Sequence, residues 1–216
     1  MKEFIREDLQ DTGATPRWPD TQLYTFWLDA VRDYSLWFPL VSDRVQPTGT
    51  GTGPYALPSD FVSTIFVESP DGRFLEERTP RPGVRYPSQS GRPFYWYLQG
   101  GGLWVDVAPL GDDELLLTYA AVHATPDSVN DDASVITIPD MDLELPRLYV
   151  QAKVYGQMRA KQSSLDRFKT KVSSGNTRED NPLGPEVSSL MNEYYTKIAE
   201  RLPGGVVRLH RPGRIR

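Results

Sequence analysis

Apolar positions recur at two different periods along this chain, and the change of period divides it. Leu23, Phe26, Trp27, Ala30, Val31, Tyr34, Trp37 and Phe38 fall three and four residues apart, while Gln22, Asp29, Arg32 and Asp33 fall elsewhere on the helical wheel. This predicts a helix that starts near Asp20, a suitable N-cap, and stops at Pro39. A shorter helix over residues 2 to 11 gathers Phe4, Ile5 and Leu9. The helical period returns late in the chain. Leu145, Leu148, Tyr149, Ala152, Tyr155, Gly156 and Arg159 predict a long helix reaching toward Lys171, with Pro146 tolerated in its first turn. Val187, Leu190, Met191, Tyr194, Tyr195, Ile198 and Leu202 predict a final one, closed by Pro203-Gly204-Gly205. The aromatic stripes suit either a core or a contact between subunits.

Between these helices the period falls to two. Arg92 to Pro109 contains two runs rich in aromatic and β-branched residues around Gln99-Gly100-Gly101-Gly102, a hairpin whose second strand alternates Leu103, Val105 and Val107 with Trp104, Asp106 and Ala108. Phe61 to Val67, Arg73 to Arg78, Asp113 to His123 and Val135 to Pro139 read as further strands. Gln46 to Pro54 reads as a linker by composition, and residues 79 to 93, with four prolines, as an exposed loop able to serve as a contact arm. The expected class is α+β: a helical bundle built from the N- and C-terminal helices, with an inserted antiparallel β domain and an extended C-terminal tail. The boundaries are 1–45 and 140–202 for the two parts of the bundle, 46–139 for the β insertion and 203–216 for the tail.

Charge singles out that tail. The chain carries a net charge of −5, yet its last fourteen residues hold four arginines and no acid, so the tail is +4 and the rest −9. An acidic body argues against nonspecific duplex binding, which needs clustered cations. Ordering fourteen backbones costs about 14–28 kcal/mol. Full burial of Val206, Val207, Leu209 and Ile215 returns only about 6–12 kcal/mol. The tail alone is therefore expected to lack a fold of its own: it is either a frayed, solvated terminus or a segment that a partner offering a sheet edge and acidic groups could order.

Several chemistries find no support. With no cysteine there is no disulfide framework, thiolate metal site or thiol nucleophile. His123 and His210 are the two histidines, and neither sits in a nucleophile elbow or an HExxH pattern. The glycines of residues 46–54 lack the Gly-Lys-Ser/Thr ending of a phosphate loop, and the acids at 112–114 and 125–133 do not follow EF-hand spacing. No catalytic residue, metal ligand or cofactor is expected. Met1 to Gln10 carries acids where a signal peptide needs an apolar run, and no membrane segment is expected. Tyr95, Trp96, Tyr97 and Trp104 leave open a carbohydrate-binding or carbohydrate-active alternative.

One family shares the order of these pieces. Thr15 to Leu23 leads into the aromatic helix with Asp29-Ala30, and Tyr55-Ala-Leu-Pro-Ser-Asp-Phe61 enters the strands. The hairpin then carries Gly102-Leu-Trp104 followed by Ala108-Pro109, and a long helix comes late. In this order the chain resembles the head-to-tail adaptor, or connector, proteins of tailed bacteriophages, the larger type with a β insertion. The resemblance implies a noncatalytic virion protein of the neck, between capsid portal and tail, present in the host cytoplasm during assembly. Its partners would be the portal protein, tail or nozzle proteins, further copies of itself in a ring, typically a dodecamer, and viral DNA passing through the lumen without sequence-specific binding. A C-terminal extension engages the portal in such proteins, which assigns portal binding here to Val206, Val207, Arg208, Leu209, His210, Arg211, Arg214, Ile215 and Arg216. A tail-completion or stopper protein is the alternative within the same class.

Overall fold

The computed structural model describes residues 2–13, 15–79, 91–110, 114–126, 128, 136–172 and 183–202. Two compact units emerge: Met1–Trp37 with Ala124–Arg216, and Phe38–His123.

The first unit is helical: α1 (Lys2–Asp8), α2 (Asp20–Trp37), α3 (Glu144–Val172) and α4 (Leu183–Arg201), with a 3-10 turn at Asp140–Asp142 before α3. The α2 stripe is core as far as Tyr34: Leu23, Phe26, Trp27, Ala30, Val31 and Tyr34 are buried, whereas Leu36 is exposed. Along α3, Leu145, Tyr149 and Ala152 are buried as the spacing predicts, but so are Val150 and Val154, which lie off that stripe. The cause is that α3 packs against both α2 and α4, and against α1, so more than one of its sides is covered. Before α2, Arg6 ties the chain into a knot, donating to Asp11 Oδ2 at 2.9 Å, to the Trp18 carbonyl at 2.9 Å and to Asp20. Asp11 in turn accepts from the Arg17 and Trp18 amides. This knot closes over Trp18, which is buried although no periodicity marks it.

The second unit is built from two sheets. In the first, β1 (Leu40–Val45), β7 (Leu116–Ala121) and β3 (Phe61–Glu68) lie antiparallel in the order β1-β7-β3. In the second, the order is β2-β6-β5-β4, from β2 (Tyr55–Ala56), β6 (Gly102–Val105), β5 (Tyr95–Gln99) and β4 (Glu76–Glu77). The β4–β5 pair runs parallel, a departure from the all-antiparallel expectation. Both sheets contribute to one core, with Val67, Leu117 and Tyr119 from the first and Trp96, Leu103 and Val105 from the second. Burying Leu103 and Val105 stabilises the unit by about 1.5–3 kcal/mol each.

The central hairpin forms at the predicted turn. Gln99 pairs with Gly102, and Gly100 and Gly101 take φ +60° and +77°, the left-handed region that a two-residue hairpin loop requires. Asp106 extends the pairing with its side chain: Oδ1 accepts from the Phe94 amide at 3.0 Å and the Tyr95 amide at 3.1 Å. We expect Asp106→Ala to destabilise the protein by about 2 kcal/mol in urea unfolding, because two amides at the start of β5 lose a charged acceptor.

Three further expectations change. Residues 40–45, grouped with the N-terminal helices, form β1, because the chain turns straight from Pro39 into a ladder with β7. Residues 136–139, expected as a strand, form none: the segment belongs to the helical unit, where Ile138 is buried and Thr137 Oγ1 accepts from the Ala124 amide. Residues 46–54 are no linker. Thr48 bridges Ala56, the Thr52 carbonyl accepts from the Val105 amide, and Gly53 lies so close to β6 that a Cβ there would sit 2.8 Å from the Leu103 carbonyl oxygen. Residues 80–90 of the expected contact arm (79–93), 112 and 113 of the acidic turn at 112–114, 127 and 129–133 of the loop at 125–133, the loop at 173–182 and the tail (203–216) lie outside the described residues.

Candidate assembly surfaces

The two histidines separate at once. His123 is buried with Nε2 2.8 Å from the Phe38 carbonyl, a structural placement just past β7, and His210 lies outside the described residues. Among the described residues no three His, Cys, Asp or Glu side chains gather as a metal site, and no helix is long and apolar enough to cross a membrane.

The hairpin aromatics do not make an open stacking platform. Trp96 and Tyr97 are buried. Tyr97 stacks on Trp104 at 6.3 Å between ring centroids, and Trp104 Nε1 donates to the Gln99 carbonyl at 3.0 Å. The rings therefore serve packing and hairpin closure. The exposed aromatics of this unit lie elsewhere. Phe74 is 63% and Phe94 52% exposed, with Phe66 edge-on to Phe74 at 4.9 Å and the Arg73 guanidinium 4.7 Å above the Phe94 ring. Exposed rings beside a charged side chain are the kind of surface that protein contacts use.

In the helical unit, α4 covers only part of its apolar stripe. Tyr194 and Ile198 are buried, Val187, Leu190 and Met191 are half-buried, and Tyr195 is exposed. Its far end is clamped. Arg201 Nη2 donates to Glu144 Oε1 at 2.5 Å and to the Met141 carbonyl at 3.1 Å, and its Nε lies 2.9 Å from Asp142 Oδ1. Lys197 Nζ donates to Glu144 Oε2 at 3.0 Å. The hydrogen bonds from Arg201 and Lys197 hold the Glu144 carboxyl below its ordinary pKa. Its contribution to the clamp is therefore complete at neutral pH and is lost as pH falls through that depressed value.

Two tyrosines lock the same elements from within. Tyr34 donates to Asp142 Oδ2 at 2.7 Å and Tyr194 to Asp33 Oδ2 at 2.6 Å. Burial first, and then the facing carboxylates, push both hydroxyls far above the ordinary tyrosine pKa. A raised folded-state pKa gives stability that is whole below about pH 10, where unfolded tyrosine titrates, and that declines as pH rises beyond it. Urea midpoints at pH 8 and pH 11 should show a marked loss at the higher pH, smaller in the Tyr34→Phe/Tyr194→Phe double variant.

Of the sequence-predicted site residues, Val206, Val207, Arg208, Leu209, His210, Arg211, Arg214, Ile215 and Arg216 all lie outside the described residues. The structure adds the clamp at their base, which sequence reasoning missed because Asp142, Glu144, Lys197 and Arg201 come from two distant segments. No curated protein matches the chain. The family model for the SU10 adaptor protein matches residues 1–186. It thus covers both sheets and α1 to α3, ends just inside α4 and stops short of the tail. The chain belongs to the SU10 adaptor protein family: it is a phage head-to-tail adaptor protein of the virion neck, working with portal and tail proteins.

Proposed function

We propose that copies of this chain form a ring beneath the portal, join the capsid to the tail and line the channel through which viral DNA passes. The observation that carries the ring is the open apolar stripe of α4, where Val187, Leu190 and Met191 are half-buried and Tyr195 is 45% exposed in the single chain. A stoichiometry matching the portal, typically twelve, follows from the adaptor role. The acidic body suits a channel wall that repels DNA. The exposed Phe74 and Phe94 rings support assigning the β unit to tail-side partners.

In this reading Val206 to Arg216 engage the portal from the base held by Arg201. The test is to titrate the full-length protein onto purified portal rings. Binding should be tight at low salt and weaken as salt screens the arginines. The Arg208→Glu/Arg211→Glu double variant should lose at least about 100-fold, two disrupted charge-assisted contacts being worth about 1.5–3 kcal/mol each. Unchanged affinity in that variant would remove the tail from the interface.

A further inference from the structure

Pro139 opens the 3-10 turn Asp140–Asp142, which two backbone hydrogen bonds close: the Asp142 amide donates to the Pro139 carbonyl at 2.8 Å and the Leu143 amide to the Asp140 carbonyl at 3.3 Å. Ile138, just before the turn, is buried, and Tyr34 holds Asp142 Oδ2. Met141 sits in the middle of this turn and is 76% exposed, the most exposed large apolar side chain among the described residues.

A single exposed apolar side chain is ordinary in itself. What sets Met141 apart is where its backbone is tied. Its carbonyl accepts from Arg201 Nη2 at 3.1 Å, and Arg201 precedes the tail by two residues. The same guanidinium pairs with Asp142 Oδ1 at 2.9 Å and donates to Glu144 Oε1 at 2.5 Å. Among the described residues, the other exposed apolar side chains of this unit, Phe4, Leu36 and Tyr195, belong to residues with no hydrogen bond to Arg201. The turn that presents Met141 and the root of the tail are thus fastened together. Covalent geometry then limits how far apart their contacts can lie. Five residues lead from Arg201 to Val206, the first residue assigned to the portal, and a chain spans at most about 3.3–3.6 Å per residue, so Val206 lies within roughly 18 Å of Arg201. A portal surface that takes up the tail from Val206 onward comes within reach of Met141.

The two parts bring different chemistry to that surface. The tail contributes four arginines, whose contacts salt weakens, and its ordering on the portal costs backbone entropy. Met141 contributes an unbranched, polarisable apolar side chain on a backbone already fixed by hydrogen bonds, so its docking costs side-chain freedom alone. Methionine is also among the residue types that protein interfaces favour. We infer that Met141 is a fixed apolar anchor that docks in an apolar recess of the portal beside the tail. This rests on the portal-binding reading of Val206 to Arg216 and adds to it a second contact, on the folded body.

The chain has no cysteine, so a single label can be placed on it. Full-length Met141→Cys and Arg208→Cys variants, each carrying a maleimide-linked benzophenone, are assembled on purified portal rings and irradiated. The label at position 141 should form a covalent adduct with the portal subunit. Portal adducts from position 208 but not from 141 overturn the anchor and leave the tail reading standing. Adducts from 141 that join only copies of this chain also overturn it, because Met141 would then lie between neighbours. Portal adducts from neither position overturn both readings. Affinity supplies an independent check without a label. Met141→Ala should keep the wild-type thermal midpoint, because the side chain is exposed, and should bind portal rings at least about fivefold more weakly, as for a contributing interface side chain. Met141→Leu should bind as wild type does. The Ala deficit should persist from low to high salt, since salt screens charge and leaves apolar contact in place. Equal affinity of wild type and Met141→Ala, or a deficit that vanishes at high salt, contradicts the anchor.

Discussion

Removing residues 203–216 should abolish attachment to the portal and leave the folded body as stable as before. The tail's apolar residues are too few to offset the cost of ordering it alone, so truncation should shift the stability of the remaining 202 residues by no more than about 0.5 kcal/mol, the ordinary range for surface changes. On the portal the balance reverses. In the proposed ring, four arginines and four apolar side chains per tail would gain partners and every tail would bind at once, so the effective concentration of each would be raised by the others. The loss should exceed about 100-fold per chain and be larger for the assembled ring. A synthetic peptide of residues 203–216 should bind portal rings weakly and compete with the intact protein. Binding assays with truncated protein and peptide, beside urea unfolding of the truncated protein, check both halves.

Tyr194→Ala should be the most damaging single substitution in the helical unit. The side chain is fully buried, donates to Asp33, and packs edge-on against Tyr149 at 5.6 Å and Tyr195 at 5.2 Å. Emptying an aromatic site of this kind costs about 3–5 kcal/mol, a large share of the 5–15 kcal/mol that holds a typical domain. Tyr194→Phe keeps the ring and loses the charge-assisted hydrogen bond, about 1.5–3 kcal/mol. Denaturant midpoints should therefore fall in the order wild type, Phe, Ala. Because Tyr194 pins α4 and α4 leads into the tail, hydrogen exchange along α4 should rise in the Ala variant before the β unit is affected.

Much of this architecture was legible because it rests on local periodicity. The α2 stripe and the Gly100-Gly101 turn each follow from residues close together in the chain. What escaped depends on residues brought together from afar. Val150 and Val154 look misplaced on a one-sided helix and become core once α2 and α4 cover different sides of α3. Residues 46–54 have the composition of a linker, yet their backbone pairs with β2 and β6, a partnership that glycine permits and composition hides. Trp18, between two prolines, shows no period at all, and its burial depends on Arg6 and Asp11. The assembly surfaces divide in the same way. The tail announces itself through four arginines without an acid. The clamp at its base draws on residues more than fifty positions apart.

A ring seated on the portal should match it copy for copy. Purified virus particles, digested and quantified by mass spectrometry against labelled peptides from both proteins, give that ratio directly. One copy of this chain is expected for each portal subunit, retained when tail components are stripped away. A ratio far below one, or recovery of the chain only as free protein outside the particles, would contradict it.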